Sequence, residues 1–347
     1  MAAATARLVR LRSMTARLCA PKVGSMFQQA VGSYFRCREA ADLARLLSEA
    51  KNLGAKTGSK AMLSKPNDKR QRRTRMTQHY NTILITGAAG RLGSRLRVGL
   101  APLARRIRLS DRVDIANLQA NEEAAVCELT DFPAVQTAAA GVDAIVHFGG
   151  APLESPWDEI ISSNIQGSYN IYEAARKQGV RRVVYASSVH AIGYHPLEAH
   201  IDAEAPHRPD SLYGLSKCFV EDLGRLYWDK FGIESVFLRI FSSFPEPADR
   251  RMLWSWLSFD DCVRLVTASL VAPRVGHTIV FGMSNNMIKP VDNSLAGHIG
   301  FYPKDSAEAF HAAVEAKTSP PDPKAPATSL LGGWFIDLGH PDDEKTA

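Results

Sequence analysis

The sequence predicts an α/β protein built on a doubly wound parallel sheet, and three observations carry that expectation. From Thr82 onward, short β-branched and apolar runs alternate with longer stretches of helical period. Several of these runs are apolar from end to end, as strands covered by helices on both faces must be. The first run passes straight into a glycine-rich turn that opens a helix. With 347 residues and 45% hydrophobic content, the chain has ample material for one large domain of this kind.

Strands are expected at 82–86 (TILIT), 105–110, 124–128, 143–148 (DAIVHF), 181–187 (RRVVYAS), 234–240 (ESVFLRI) and 277–281. Helices are expected between them, most clearly at 157–178, 211–232 and 259–271, the last opened by a capping box from Ser258 to Asp261. This is a Rossmann-type sheet over about 76–315, with a small C-terminal substrate-binding portion completed by 241–310. Residues 316–347, rich in Pro and Gly, are expected to wrap as an arm or trail as a loose tail.

Residues 1–75 differ in composition, with 17 Lys or Arg against four Asp or Glu. The whole chain carries +6, so the remainder is acidic at −7, which argues against nucleic acid as a partner. The first 38 residues hold no acid and have the composition of a mitochondrial transit peptide; the other reading is an extension upstream of a start at Met76. A short helix at 39–50 and a solvated charge run at 65–75 are expected. Five scattered cysteines make no disulfide framework and fit a reducing, cytoplasmic setting, or the matrix if 1–38 is a transit peptide. Neither cysteines nor histidines show metal-ligand spacing, and no run approaches the ~20 apolar residues of a membrane span.

Open parallel sheets bind ligands beyond the carboxyl ends of their strands, so residues that follow each strand are the candidates for function. After the first strand comes GAAGRLG, in which Gly87, Gly90, Arg91, Leu92 and Gly93 form a turn and helix start able to hold a pyrophosphate. Asp111 ends the second strand, where a carboxylate bonds ribose hydroxyls and repels a 2′-phosphate, favouring NAD. The third strand delivers Glu128 and Leu129 to the adenine, and the fourth delivers Phe148, Gly149, Gly150 and Ala151 where the dinucleotide crosses. The fifth ends in SSVH, bringing Ser187, Ser188 and His190 to the same edge. Tyr213 and Lys217 follow on one face of a helix, four residues apart.

These residues, with Asn164 in SSNIQGSYNIYEAAR, resemble the extended short-chain dehydrogenase/reductase family over Thr82 to about Phe310. NIQGSYNIYEAAR, LYGLSKCF, PEPADRRML and VDNSLAGHIGFYPKDSAEAF are similar, within that family, to the uronate dehydrogenases. The resemblance implies NAD-dependent oxidation of a hexuronate at the C1 hydroxyl to an aldarolactone, by a homo-oligomer. It makes Tyr213 the general base, Lys217 the group that lowers its pKa and holds the nicotinamide ribose, and Ser188 the partner of the reacting oxygen. It makes Asn164 and Ser243 cofactor contacts, and Leu153, Ser188, Val189, His190, Ala191 and Ser242 the sugar pocket, with Arg251 clamping the carboxylate. Arg250 stands beside Arg251 and leaves the register between them open. Val189, Pro152, Phe241 and Glu128 depart from the family pattern and make the expected pocket less polar. Bringing a phenol of pKa ≈ 10 down two or three units, as a base requires, takes roughly 3–4 kcal/mol of phenolate stabilisation. Two other functions remain open on the same scaffold: a sugar-nucleotide epimerase or dehydratase that retains its NAD, and a silent NAD-sensing protein.

Overall fold

The computed structural model describes residues 79–343. The expected targeting segment at 1–38, the helix at 39–50 and the charge run at 65–75 lie outside the described residues.

Seven parallel strands form the central sheet. They are β1 (Tyr80–Thr86), β2 (Ala104–Ser110), β3 (Glu122–Ala124), β4 (Ala144–His147), β5 (Arg182–Ser188), β6 (Glu234–Ile240) and β7 (His277–Gly282). Their spatial order is β3-β2-β1-β4-β5-β6-β7, so the winding reverses between β1 and β4. The long connecting helices are α1 (Arg91–Leu100), α2 (Phe132–Ala138), α3 (Gly167–Gln178), α4 (Leu212–Phe231) and α5 (Phe259–Val271).

The continuous apolar runs are explained by two core layers. On one face, Ile83 and Ile85 of β1 pack with Leu96 and Leu100 of α1 and Leu265 and Val266 of α5. On the other, Leu84 joins Ile171 of α3 and Val220 and Leu223 of α4. Successive strand side chains point to opposite faces, so both layers are fed by the same seven residues of β1.

α4 begins at Ser211, whose hydroxyl accepts the Gly214 N–H at 2.9 Å, and ends at Gly232 with φ 68°, a left-handed cap. Ser258 caps α5 by accepting the Asp261 N–H at 2.9 Å. The expected box closes indirectly, because an aspartate is one carbon too short to reach back. The Ser258 N–H donates to Ser284 Oγ at 2.9 Å, and Ser284 Oγ donates to Asp261 at 2.7 Å.

Two elements differ from expectation. The third strand spans Glu122–Ala124 rather than 124–128; as an edge strand it has one neighbour, and the chain beyond it keeps only isolated bonds to β2 such as Ala125 N–H to Leu109 O. The helix expected at 157–178 is helical throughout, but Ile160–Gln166 is wound as a π-helix, a local form that often marks functional sites. Among the described residues Cys127, Cys218 and Cys262 are free thiols, and no helix is long and apolar enough to cross a membrane.

Candidate active site

A cleft of about 1040 Å³ is lined by residues that follow the strands. It brings together Gly87, Gly90, Arg91, Leu92, Gly93, Asp111, Glu128, Leu129, Phe148, Gly149, Gly150 and Ala151 with Leu153, Ser188, His190, Tyr213, Lys217, Ser242, Ser243 and Arg251. Three expected residues are absent from its surface. Val189 is packed with Ile192, Phe281 and Leu331, and Ala191 is fully buried, because the turn after β5 coils as a 3-10 helix and sends only some of its side chains outward. Asn164 stands behind the wall, where its amide accepts the Ala151 N–H at 2.8 Å and donates to Ala151 O and Ser216 Oγ, both at 3.1 Å.

The glycine loop fits a dinucleotide on its own geometry. Gly87 adopts φ +69°, and a Cβ there would lie 2.4 Å from Phe148 O, so β1 and β4 meet backbone to backbone at the winding reversal. No side chain caps α1 at Gly90, so its first amides and partial positive charge are left for an anion. The Asp111 carboxylate is anchored by the Ala89 N–H at 3.0 Å and the Arg112 N–H at 2.8 Å, one bond to each oxygen. Each oxygen keeps a lone pair for a ribose hydroxyl. Among the described residues no cluster of three or more His, Cys, Asp or Glu stands ready for a metal.

Tyr213 and Lys217 lie in the first turns of α4, and that helix start is fixed from outside. Glu154 accepts the Leu212 N–H at 3.0 Å and the Tyr213 N–H at 2.8 Å, satisfying amides that a helix start leaves orphaned. Lys217 donates from Nζ to Ala186 O at 2.9 Å and sits 5.2 Å from the centroid of the Tyr213 ring. Burial pushes the Tyr213 phenol up to about 12, against a pull downward from the Ser188 hydroxyl. Burial also pushes Lys217 down to about 8, while the Glu221 carboxylate one turn further along favours its charged form. The protein alone therefore does not lower the phenol pKa as expected; burial outweighs the Ser188 hydrogen bond.

Beneath these groups Glu221 accepts from Ser187 Oγ at 2.6 Å and from Arg239 at 2.7 and 3.0 Å, and pairs with His207 at 2.8 Å. Despite burial, His207 and Arg239 hold its carboxyl down at about 2. The network pins the end of β5 to α4, the two elements that carry Ser188 and Lys217.

In the remaining wall Arg251, and not Arg250, lines the cleft. Arg250 faces outward to Glu315 at 2.8 Å, whereas Arg251 is buried and donates to Ser242 Oγ at 2.8 Å and Leu331 O at 2.7 Å. Its Nε has no partner, and no carboxylate of the described residues pairs with it. Burial lowers its pKa to about 10. His190 stacks on Phe335 with ring centroids 3.7 Å apart, and its Nδ1 lies 2.7 Å from Asp210 Oδ2. Trp334 and Phe335 line the cleft although they follow every expected strand and helix; only their aromatic character within a Pro/Gly-rich stretch signalled them. Glu154 and Asp210 carried no sequence signal, since their partners are set by chain closure.

A winding reversal with a glycine cradle, a ribose carboxylate and a Tyr-x-x-x-Lys helix defines a dinucleotide-dependent enzyme class. The chain belongs to the NAD dependent epimerase/dehydratase family, whose model matches residues 83–258. It is 50% identical over 266 residues to the uronate dehydrogenase of Pseudomonas putida, covering 76% of this chain and 98% of the relative. A glucuronic acid dehydrogenase from Chromohalobacter salexigens superposes with TM-score 0.75 at 48% identity, covering 76% of this chain and 99% of that one. A mutant uronate dehydrogenase from Agrobacterium tumefaciens complexed with NAD gives TM-score 0.73 at 46% identity, covering 75% and 98%.

Proposed function

We propose that this protein oxidises a hexuronate, galacturonate or glucuronate, at its C1 hemiacetal hydroxyl to an aldarolactone, with NAD as hydride acceptor. The observation that carries the reading is Arg251. Buried charges are normally paired, and among the described residues this guanidinium has only neutral acceptors. Its planar fork suits the two oxygens of a substrate carboxylate. The kinship to enzymes named for uronates supports the same substrate class.

Tyr213 takes the proton of the C1 hydroxyl, and Ser188 donates a hydrogen bond to the same oxygen, holding it beside the phenol. Lys217 contributes an ammonium near the developing phenolate and a donor for the nicotinamide ribose. Bound NAD supplies the hydride-accepting ring and a positive charge that further favours the phenolate. The glycine loop at 87–93 and Asp111 would hold its pyrophosphate and ribose, with Glu128 and Leu129 at the adenine, residues 148–151 at the crossing and Ser243 near the nicotinamide. Leu153, His190 and Ser242 would contact the sugar, and Asn164 would act by holding Ala151.

The proposed organisation is a dinucleotide-binding body at 76–315 and an arm at 316–347 that closes the sugar pocket. A homo-oligomer belongs to the reading, supported by the exposed Tyr169 of α3 and Leu215, Phe219 and Leu226 of α4. So does a cytoplasmic setting, supported by the free thiols. A panel of sugar acids assayed with NAD and NADP side by side tests the proposal. NADH should form with galacturonate or glucuronate, and much less product with NADP. Intact NAD binding without NADH formation on any uronate would overturn it.

A further inference from the structure

We propose that Asp210 fixes the proton of His190 on Nδ1, so that the pocket offers a bare Nε2 that accepts a hydrogen bond from one hydroxyl of the substrate. Asp210 thereby acts as a positioning residue that sets which sugar hydroxyl is recognised; the identity of the substrate rests on the uronate reading above.

The geometry leaves the pair little freedom. Nδ1 of His190 lies 2.7 Å from Asp210 Oδ2, and Asp210 Oδ1 accepts from the Ser211 hydroxyl at 2.8 Å. An ionised carboxylate only accepts, so the proton between the pair belongs to Nδ1. The Asp210 N–H also donates to His190 O at 3.3 Å, fixing the two residues backbone to backbone. The carboxylate is enclosed, with 0% of its side chain exposed, and a Cβ at Gly193 or Gly332 would lie 1.8 or 2.1 Å from Oδ2.

Nε2 makes no hydrogen bond within the described residues, and His190 lines the cleft. The ring is neutral by its surroundings. Burial pushes its pKa below the ordinary histidine value; Asp210 and Glu154 pull upward, and Arg251 pushes down. The other neighbours packed on it, Tyr213 at 5.8 Å between ring centroids and the stacked Phe335, offer the ring no charge of their own at neutral pH. A neutral ring with Nδ1–H presents a lone pair at Nε2, which a hydroxyl can satisfy and an ether or fluorine cannot. A site built around one such bond discriminates strongly against an analogue lacking it.

Selective ¹⁵N labelling of histidine tests this without substrate, with the His190 signal identified from His190→Gln. In the full chain at neutral pH, Nε2 should be pyridine-like. In Asp210→Asn the amide oxygen stays on the Ser211 hydroxyl and the amide nitrogen donates to Nδ1, so the proton moves and Nε2 becomes pyrrole-like. That variant should lose about ten- to a hundredfold in kcat/KM for the uronate, the usual scale of one mismatched buried hydrogen bond, with KM for NAD unchanged. Among uronates carrying fluorine in place of one hydroxyl at a time, one should lose about tenfold or more with the natural protein and little with Asp210→Asn. A protonated Nε2 in the natural protein, or an Asp210→Asn variant with full kcat/KM, overturns the inference. Failure of every uronate to yield NADH overturns the proposed function instead, because the nitrogen signals do not depend on it.

Discussion

A guanidinium taken out of water typically costs the fold several kcal/mol after relaxation, and an anion at hydrogen-bonding distance is what repays it. Among the described residues Arg251 has neutral acceptors alone, and on the proposed reading its anion comes with the substrate. Arg251→Ala should therefore raise KM for galacturonate steeply and cut kcat/KM by about a hundredfold, on the scale of ~2–5 kcal/mol for truncating one partner of a buried charge pair. Activity on neutral aldoses should be little changed. Arg250→Ala, which removes an outward pair with Glu315, should leave uronate kinetics near those of the natural protein. Steady-state kinetics on both variants check this, and equal effects would return the carboxylate clamp to question. At this scale the sequence was legible where function needs a fixed spacing along one element, as with Tyr213 and Lys217 on one helix face. It was silent where a contact is made by tertiary closure: Val189 sits inside rather than in the pocket, while Asp210 and Phe335 meet His190 from separate segments.

The elements around α4 form a clamp. The loop that crosses from β4 is tied to α4 twice: through Glu154 to the amides of Leu212 and Tyr213, and through Asn164 to Ser216, whose hydroxyl donates to Tyr213 O at 2.6 Å. One segment thus lines the proposed cofactor crossing and fixes the height of the phenol. Glu154→Ala should orphan two amides and lower stability by about 0.5–2 kcal/mol, as loss of a helix cap does. It should also reduce kcat more than KM for NAD, since it moves Tyr213 and not the glycine loop. Glu154→Gln, which keeps one acceptor oxygen, should recover part of both losses. Thermal unfolding and kinetics on the two variants decide it, and an unaltered kcat in Glu154→Ala would remove the clamp from the account. Elements with their own caps were legible to within a residue, α5 and α4 among them. The third strand was not, because an edge strand is set by its single neighbour, and the π-helical turn at Ile160–Gln166 left no mark in the apolar period.

In the whole molecule, the order β3-β2-β1-β4-β5-β6-β7 puts the winding reversal between Gly87 and Phe148, and the residues proposed for the cofactor gather in one cleft from six separated stretches of chain, at 87–93, 111, 128–129, 148–151, 217 and 243. That convergence was foreseeable, because strands buried on both faces imply the parallel sheet and the parallel sheet implies where ligands go. The reach of the C-terminal arm into the pocket was not, since nothing periodic marks a segment anchored by the buried Leu331 and Phe335 and by backbone bonds such as Leu331 N–H to His195 O and Gly332 N–H to Gly193 O. The basic balance of the chain belongs to residues 1–75, so on the proposed reading the acidic body attracts an anionic substrate locally, through Arg251, rather than by its overall field. On the proposed reading, catalysis rests on Tyr213, which removes the C1 proton of a uronate while hydride passes to NAD. The most direct test is the rate of NADH formation from galacturonate at saturating NAD, in the natural protein and in Tyr213→Phe, with NAD affinity measured on both. Turnover should fall about 10²–10⁴-fold in Tyr213→Phe with NAD affinity little changed. A Tyr213→Phe protein that turns over galacturonate at the natural rate would contradict it.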